Sequence, residues 1–341
     1  LQSNPHPTIS VHIVTYNHAD TIAACLEPLL AQRADFPDLK ICVVDNASQD
    51  NTVEEVRRFS DTYNANIEII VSATNTGYAG GHNLALKHTS SDFVLTHNPD
   101  VRLRPGYLAA MLRVMQQNPD VGACAGRLLR IDSLSDVAPH AVDGIGIFMR
   151  PNRRQGLLLD GASLDTVPET PLSIFGPDGA AAFYRRAMLD DIAIDGEIFD
   201  EDFFIHKEDV DLCWRSLLRG WKSLYVPDAI AEHVRTFRPG RRERANPFLR
   251  MCAVRNRYLL MLKNEIPALF WRNFLPIAFY DVAIIGYLIL RERESLSALR
   301  SAWSLRKKML AKRRVIQSRR KADAAEMAKY FRGEKGVLES K

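Results

Sequence analysis

The sequence predicts an α/β fold, a doubly wound and mostly parallel sheet followed by a helical C-terminal extension. Between residues 8 and 129, short β-branched runs alternate with stretches of helical spacing, the pattern of strand–crossover–strand units. Beyond Arg235 that alternation stops, and long apolar and then basic helical stretches replace it. The composition is ordinary, with 341 residues, 46% hydrophobic, 25% charged, 18 Gly and 17 Pro. It excludes disordered, collagenous and low-complexity chains and allows one large domain or two smaller ones.

The elements follow in order. Residues 8–15 (TISVHIVT) read as the first strand and 19–32 as the first helix. Residues 40–44 (KICVV) form a second strand ending in Asp45-Asn46, and 50–62 a helix with Val53, Val56 and Phe59 on one face. A third strand over 67–71, a helix over 79–88 and a fourth strand over 92–96 lead into His97-Asn98-Pro99-Asp100. A helix over 105–117 and a strand over 121–129 complete the regular part. Gly, Pro and Asp are frequent over 132–175, which reads as a flexible loop or hairpin region. Order returns at 179–185, at a helix over 208–218 and at a strand over 223–226. Residues 246–263 are helical, 268–290 strongly apolar, and 296–321 carry ten Lys/Arg and no acid.

Charge divides the chain. Residues 1–235 hold 20 Lys/Arg against 32 Asp/Glu, net −12, whereas 236–341 hold 25 against 9, net +16. This asymmetry predicts an acidic folded domain over 1–235 and a basic helical region over 236–341 with a different partner. The five cysteines are scattered, odd in number and without a CxxC, so buried free thiols in a reducing cytosol are expected. No charged-then-apolar leader opens the chain, and Leu1 in place of Met points to a trimmed terminus.

Polar residues gather where the strands end, the position at which doubly wound sheets bind ligands. Asp45 can accept from a base or ribose, or cap the helix that follows. Asn75-Thr-Gly77-Tyr-Ala-Gly80-Gly81-His-Asn83 is a glycine-rich turn entering a helix, suited to close approach of phosphates, yet its spacing is not GxGxxG. Asp100, after Asn98-Pro99, can hold a divalent cation on a diphosphate or close an ordinary Asx-Pro turn. Glu208-Asp209-Val210-Asp211 opens a helix; acids there complement the dipole, and one of the three can be a general base. His233, a lone histidine, gains meaning only beside a cation at Asp100.

Taken together, VTYN (14–17), VVDNAS (43–48), NTGYAGGHN (75–83), NPDV (98–101), FGPDGAAAFYRR (175–186), FFIHKEDVDLCWR (203–215) and AEHV (231–234) resemble the family-2 glycosyltransferases of the Rossmann-like GT-A fold, in the rhamnosyltransferase-like branch. The resemblance covers roughly residues 8–235. It implies an inverting transferase in which Thr15, Tyr16, Asn17, Asp45, Asn75, Gly77, Gly81, Asn83, Asn98 and Asp100 bind the nucleotide-sugar. It implies Asp209 as general base, with Asp178, Gly179 and Glu208 on the acceptor side. Asp100 and His233 would hold Mg²⁺ or Mn²⁺. Asn98 stands where the DXD pattern has its first Asp, which favours dTDP-L-rhamnose as donor over UDP-sugars such as UDP-galactofuranose or UDP-GlcNAc. A nucleotide-sugar-binding scaffold with little turnover is the alternative.

The tail points to the acceptor. The apolar stretch 274–290 is near the lower length for spanning a bilayer and contains Pro276 and Asp281, so it reads as an interfacial or reentrant helix. With the basic run 300–321 it predicts contact with an anionic membrane surface. The expectation is therefore a cytoplasmic enzyme, peripheral on the inner face of the cell membrane, acting on a lipid-linked or polymeric glycan. Packing on the catalytic domain or in a homo-oligomer is the other use of such helices. No recognition motif accompanies the basic charge, so nucleic acid is not an expected partner.

Overall fold

The aliphatic run at the N-terminus forms β1 (Ile9–Thr15), an interior strand of the sheet in a computed structural model that describes residues 7–235 and 246–339. Parallel neighbours flank it, β2 (Lys40–Asp45) on one side and β4 (Phe93–His97) on the other, with β3 (Ile67–Val71) beyond β2. The crossovers are α1 (Ile22–Ala31), α2 (Thr52–Thr62) and α3 (Gly77–His88), each bounded within two or three residues of the helix its periodicity predicts. β5 (Val101–Leu103) and α4 (Tyr107–Gln117) then lead to β6 (Val121–Arg130).

The 132–175 segment contains more order than its composition suggests. It supplies β7 (Ala141–Gly144), a hairpin of β8 (Ile147–Met149) and β9 (Gln155–Leu157), and β10 (Leu172–Ser173). β11 (Ala181–Arg185) follows, then α5 (Arg186–Ile192), α6 (Glu208–Leu218) and β12 (Lys222–His233). β12 runs well past the predicted 223–226. Its register shifts between Tyr225 and Ile230, around Pro227, let one strand carry on to His233.

The sheet order is β10-β12-β6-β11-β4-β1-β2-β3. β12 is parallel to β6, but β11 runs antiparallel between β4 and β6. That reversal has a consequence for the site. It pairs Ala181 with His97, so the loop before β11 meets the loop after β4, and Asn98 N donates to Ala180 O at 2.8 Å.

The C-terminal helices are α7 (Pro247–Asn264), α8 (Pro267–Arg272), α9 (Phe274–Arg291), α10 (Ser297–Arg319), α11 (Ala324–Ala328) and α12 (Gly333–Leu338). Asn246 caps α7 by accepting from Phe248 N at 2.9 Å. One apolar cluster joins both sides of residue 235: Phe175 and Trp214 pack with Leu259 of α7, Met309 of α10 and Phe331. All five cysteines are buried and free.

An ion cluster lies at the same junction. Lys263 Nζ donates to Asp200 Oδ2 at 2.5 Å and to Asp211 Oδ2 at 2.8 Å. Lys312 Nζ donates to Asp200 Oδ1 at 2.6 Å, and Asn264 and Arg215 complete the shell of Asp211. Burial alone would raise both carboxyl pKa values. Lys263 outweighs it, helped by Lys312 at Asp200 and Arg215 at Asp211, and holds both below the usual carboxylate range. Lys308 also pairs with Asp202. The acidic and basic parts of the chain are thus in part each other's partners.

α9 differs from its neighbours. Among the described residues it is the helix long and apolar enough to cross a membrane by length and composition. Most of it is exposed, including Phe279, Val282 and Leu290, while Asp281 turns inward and accepts from Arg257 Nε at 2.8 Å.

Lys263→Met is expected to lower stability by about 3–5 kcal/mol, because it leaves Asp200 and Asp211 short of their shared cation. Both carboxyls are depressed in the folded state. Their contribution is therefore complete above the unfolded value of about 4 and is lost as pH falls through the folded values. Urea midpoints from neutral to acid pH check this: the wild type should lose stability below about pH 4 and the variant less steeply. An unchanged midpoint and slope would remove the cluster as the joint between the two parts.

Candidate active site

The carboxyl ends of β1 and β2 open a crevice whose walls are braced by short polar turns. Thr15 is buried at the end of β1, and Tyr16 beyond it is exposed. Asn17 adopts φ 58°; its N–H donates to Ser48 Oγ at 2.9 Å and its Oδ1 accepts from Gln49 N at 2.8 Å. Asp45, buried at the end of β2, accepts from Ser48 N at 2.9 Å and from the Ser48 hydroxyl. The crevice rim is therefore stiff before any ligand arrives.

The glycine-rich turn enters α3 opposite. Asn75 Oδ1 accepts from Gly77 N at 2.9 Å, and Asn46 Nδ2 donates to Gly77 O at 2.8 Å. Gly77 has φ +70°, and a Cβ on it would lie 2.3 Å from Phe204 O. At Gly81 a Cβ would lie 2.6 Å from Val14. These two glycines are there for close packing of α3 against β1 and the 203–207 loop. Asn83 does not reach the crevice. Its amide donates to Phe199 O and Glu201 and its Oδ1 accepts from Phe199 N, so it braces α3 from within the core.

Across the crevice a chain of charged groups joins β4, β7, β12 and the loop before β11. Asp100 Oδ1 is buried and makes no hydrogen bond among the described residues; His233 Nε2 faces it at 3.4 Å. His233 Nδ1 meets Asp143 Oδ2 at 2.8 Å, and Arg235 Nε donates to both Asp143 oxygens at 2.8 and 2.9 Å. Arg235 Nη2 then reaches Asp178 Oδ2 at 2.7 Å. Burial opposes a charge on His233, but Asp100 and Asp143 together raise its pKa to about 9. Asp100 Oδ1 and His233 Nε2, the ring oriented through Nδ1 by Asp143, form a donor pair that a divalent cation can take by displacing the imidazolium proton. Among the described residues no group of three or more His, Cys, Asp or Glu could hold one unaided. Asn98 lines the same loop through its backbone, with Val101 N donating to its carbonyl.

Asp209, in the first turn of α6, accepts from Gly179 N at 3.2 Å and from Val210 N at 2.7 Å. Burial and then the charge of Asp178 raise its pKa to about 6. Glu208 beside it is buried, its Oε2 unpaired among the described residues, and burial and then Asp209 raise its pKa well above the usual carboxylate range. Gly179 O accepts from Tyr78 of α3 at 2.7 Å, which links the glycine turn to this carboxylate. Asp211 belongs instead to the ion cluster at the helix junction.

The loop ahead of α6 is strained: Phe204, His206 and Lys207 have φ of 63°, 69° and 72°. α7 holds it. Asn256 Nδ2 lies 2.7–2.9 Å from the carbonyls of Phe203, Ile205 and His206, and Arg255 Nη2 donates to Asp202 O and Phe203 O. Asp143, Arg235 and Asn256 are the residues that sequence reasoning missed. Asp143 had a faint signal, a lone acid inside the apolar run Ala141–Ile145; the other two had none.

Comparison with known proteins gives an independent result. The profile of "Glycosyl transferase family 2" matches residues 10–193. An N-acetylglucosaminyl-diphospho-decaprenol L-rhamnosyltransferase of Mycobacterium tuberculosis is 26% identical over 222 residues, 60% of this chain and 69% of that protein. A poly-beta-1,6-N-acetyl-D-glucosamine synthase of Staphylococcus aureus is 22% identical over 65% of this chain and 48% of its own length. Among solved structures, the mannosyltransferase PcManGT from Pyrobaculum calidifontis, in complex with GDP-Man and Mn²⁺, superposes with a TM-score of 0.54 at 16% identity, covering 92% of this chain and 86% of that one. This last likeness is one of fold.

Gly77→Ala is expected to destabilise the protein by at least about 1–2 kcal/mol from the left-handed backbone alone, with a further loss from the overlap with Phe204. Chemical denaturation beside nucleoside-diphosphate titration checks it. Wild-type stability in the variant would show that the 203–207 loop yields freely.

Proposed function

The chain belongs to glycosyl transferase family 2, and on that premise we propose that this GT-A glycosyltransferase moves a sugar from a nucleoside-diphosphate donor to a hydroxyl of a lipid-linked or polymeric glycan, with inversion. The observation that carries the reading is the pairing of Asp209, a carboxyl with a pKa of about 6, with the Asp100–His233 pair across one crevice. The first is suited to take a proton near neutrality; the second is suited to a diphosphate-bound cation. The donor we favour is dTDP-L-rhamnose, supported by the mycobacterial rhamnosyltransferase relative. The staphylococcal poly-N-acetylglucosamine synthase supports a UDP-sugar as second choice.

In this mechanism the crevice between β1, β2 and α3 seats the nucleoside diphosphate, and Asp209 accepts the proton of the acceptor hydroxyl. The oxygen attacks the anomeric carbon, and the nucleoside diphosphate leaves from the opposite face. Mg²⁺ or Mn²⁺ held by Asp100 and His233 would supply neutralising charge for that leaving group, a reading supported by the Mn²⁺ in the Pyrobaculum complex. Asp143 orients His233, Arg235 holds Asp143 in place, and Arg235 also neutralises Asp178 beside the base.

The exposed face of α9, with Trp271 and Phe274 at its start and Arg272, Arg291 and Arg293 around it, supports a peripheral, cytoplasmic position on an anionic membrane. Part of the 296–321 basic run is engaged internally by Asp200 and Asp202, so the apolar face carries more of this contact than charge does.

Three measurements test these readings. Asp209→Asn should lower turnover by about 10²–10⁴-fold with donor affinity kept, and wild-type turnover should rise with pH through about 6, because the base works deprotonated. Near-normal turnover in the variant would transfer the role to Glu208. Asp100→Ala and His233→Ala should each weaken dTDP binding by calorimetry in Mn²⁺ and change it little in EDTA; equal losses in both would mean that the side chains touch the nucleotide or support the fold. The full chain should sediment with anionic vesicles and less so at high salt, since screening acts beyond about 10 Å at 0.1 M. Failure to sediment at low salt would refute the membrane reading.

A further inference from the structure

A cleft of about 340 Å³ lies between the β8–β9 turn, α7 and α9, within the size range of small-molecule sites. Its walls differ in chemistry. Arg154 in the turn, Lys207 ahead of α6 and Arg257 on α7 line one side; Ile284, Tyr287 and Leu288 of α9 line the other, and among the described residues no carboxylate lines either. Arg257 is occupied by Asp281 and by the carbonyls of Asn152 and Arg153, and it stacks 4.7 Å from the Tyr280 ring. It sets the spacing of α9 from α7. Arg154 is exposed and makes no side-chain hydrogen bond or ion pair among the described residues. The cleft thus presents a cationic end joined to an apolar wall.

We propose that this cleft binds the phosphate end of the lipid-linked acceptor, with the phosphate oxygens against Arg154 and Lys207 and the first isoprenoid units along Ile284, Tyr287 and Leu288. The proposal rests on the transferase reading and names the acceptor class of that same site. Two features favour an acceptor phosphate over a bulk phospholipid headgroup. Lys207 stands two residues before Asp209, so a phosphate held there carries its attached sugar toward the base. The apolar wall belongs to the helix whose outer face is exposed, so a lipid chain can enter from that side.

The test is calorimetric titration of the full chain with farnesyl diphosphate, in EDTA and with saturating dTDP to occupy the donor crevice. Farnesyl diphosphate should bind at least about tenfold more tightly than inorganic diphosphate or farnesol, since both ends contribute. Arg154→Glu and Tyr287→Ala should each weaken it by about tenfold or more, at unchanged melting temperature. Equal affinity for inorganic diphosphate, or no effect of either substitution, overturns the proposal. So does displacement of farnesyl diphosphate by dihexanoyl phosphatidylglycerol at comparable concentration, which would make the cleft a general headgroup site. A separate dTDP titration in Mn²⁺ distinguishes the two levels: if dTDP binds and farnesyl diphosphate does not, the cleft assignment falls while the donor reading stands. If neither binds, both fall.

Discussion

Two buried carboxylates, Asp200 and Asp211, are the constraint on which the remaining structure depends. Each would be costly to desolvate alone, and each is matched by Lys263, with Lys312, Arg215 and Asn264 filling the remaining positions. Lys263 comes from α7 and Lys312 from α10, so the cluster clamps the C-terminal helices to the start of α6. With Asn264 on the same carboxylate, α7 is fixed in rotation as well as position. Residues 255 and 256 can then reach the strained 203–207 loop. That loop packs on Gly77 and aims the first turn of α6, where Asp209 sits. The geometry of the crevice is therefore set in part by helices outside the 10–193 segment that matches the family.

A second network gives the crevice its electrostatics. Asp143 is the hub: it holds His233, Arg235 and Arg130 at once. Removing any one of the three would leave a buried carboxylate short of compensation. Asp178 is held through Arg235, yet its charge still raises the pKa of Asp209. A reversed strand makes this possible, because antiparallel β11 brings residues 178–180 beside residues 98–100. A strand parallel to β4 would instead begin at the other end of the sheet, away from residues 98–100.

α9 lies at the other extreme of burial. Its inner face borders the cleft above α7 through Tyr280 and Ile284, while Phe279 and Val282 remain in contact with solvent. Arg257 ties its only acid, Asp281, to the protein. The helix is thus oriented with its charge inward and its apolar side outward, the inverse of a helix on a soluble surface.

The sequence by itself determined the alternation of strands and helices from residue 8 to 129, because periodicity and turn chemistry are local properties. Strand-end residues such as Asp45 and Asp100, and Asp209 at a helix start, were legible for the same reason: their position follows from where an apolar run stops or begins. Tertiary structure decided the rest. Asn83 lies within the glycine-rich motif, yet its side chain is committed to Phe199 and Glu201, 116 and 118 residues away in the chain. Asp143 lies in a stretch whose composition suggests a loop and becomes the hub only because β7 pairs with β6 and β12 carries His233 beside it. The charge division was visible as a count, but whether Lys312 meets lipid or Asp200 depends on how α10 packs. Such pairings join groups far apart in sequence, and a one-dimensional pattern has no signal for them until the chain has folded.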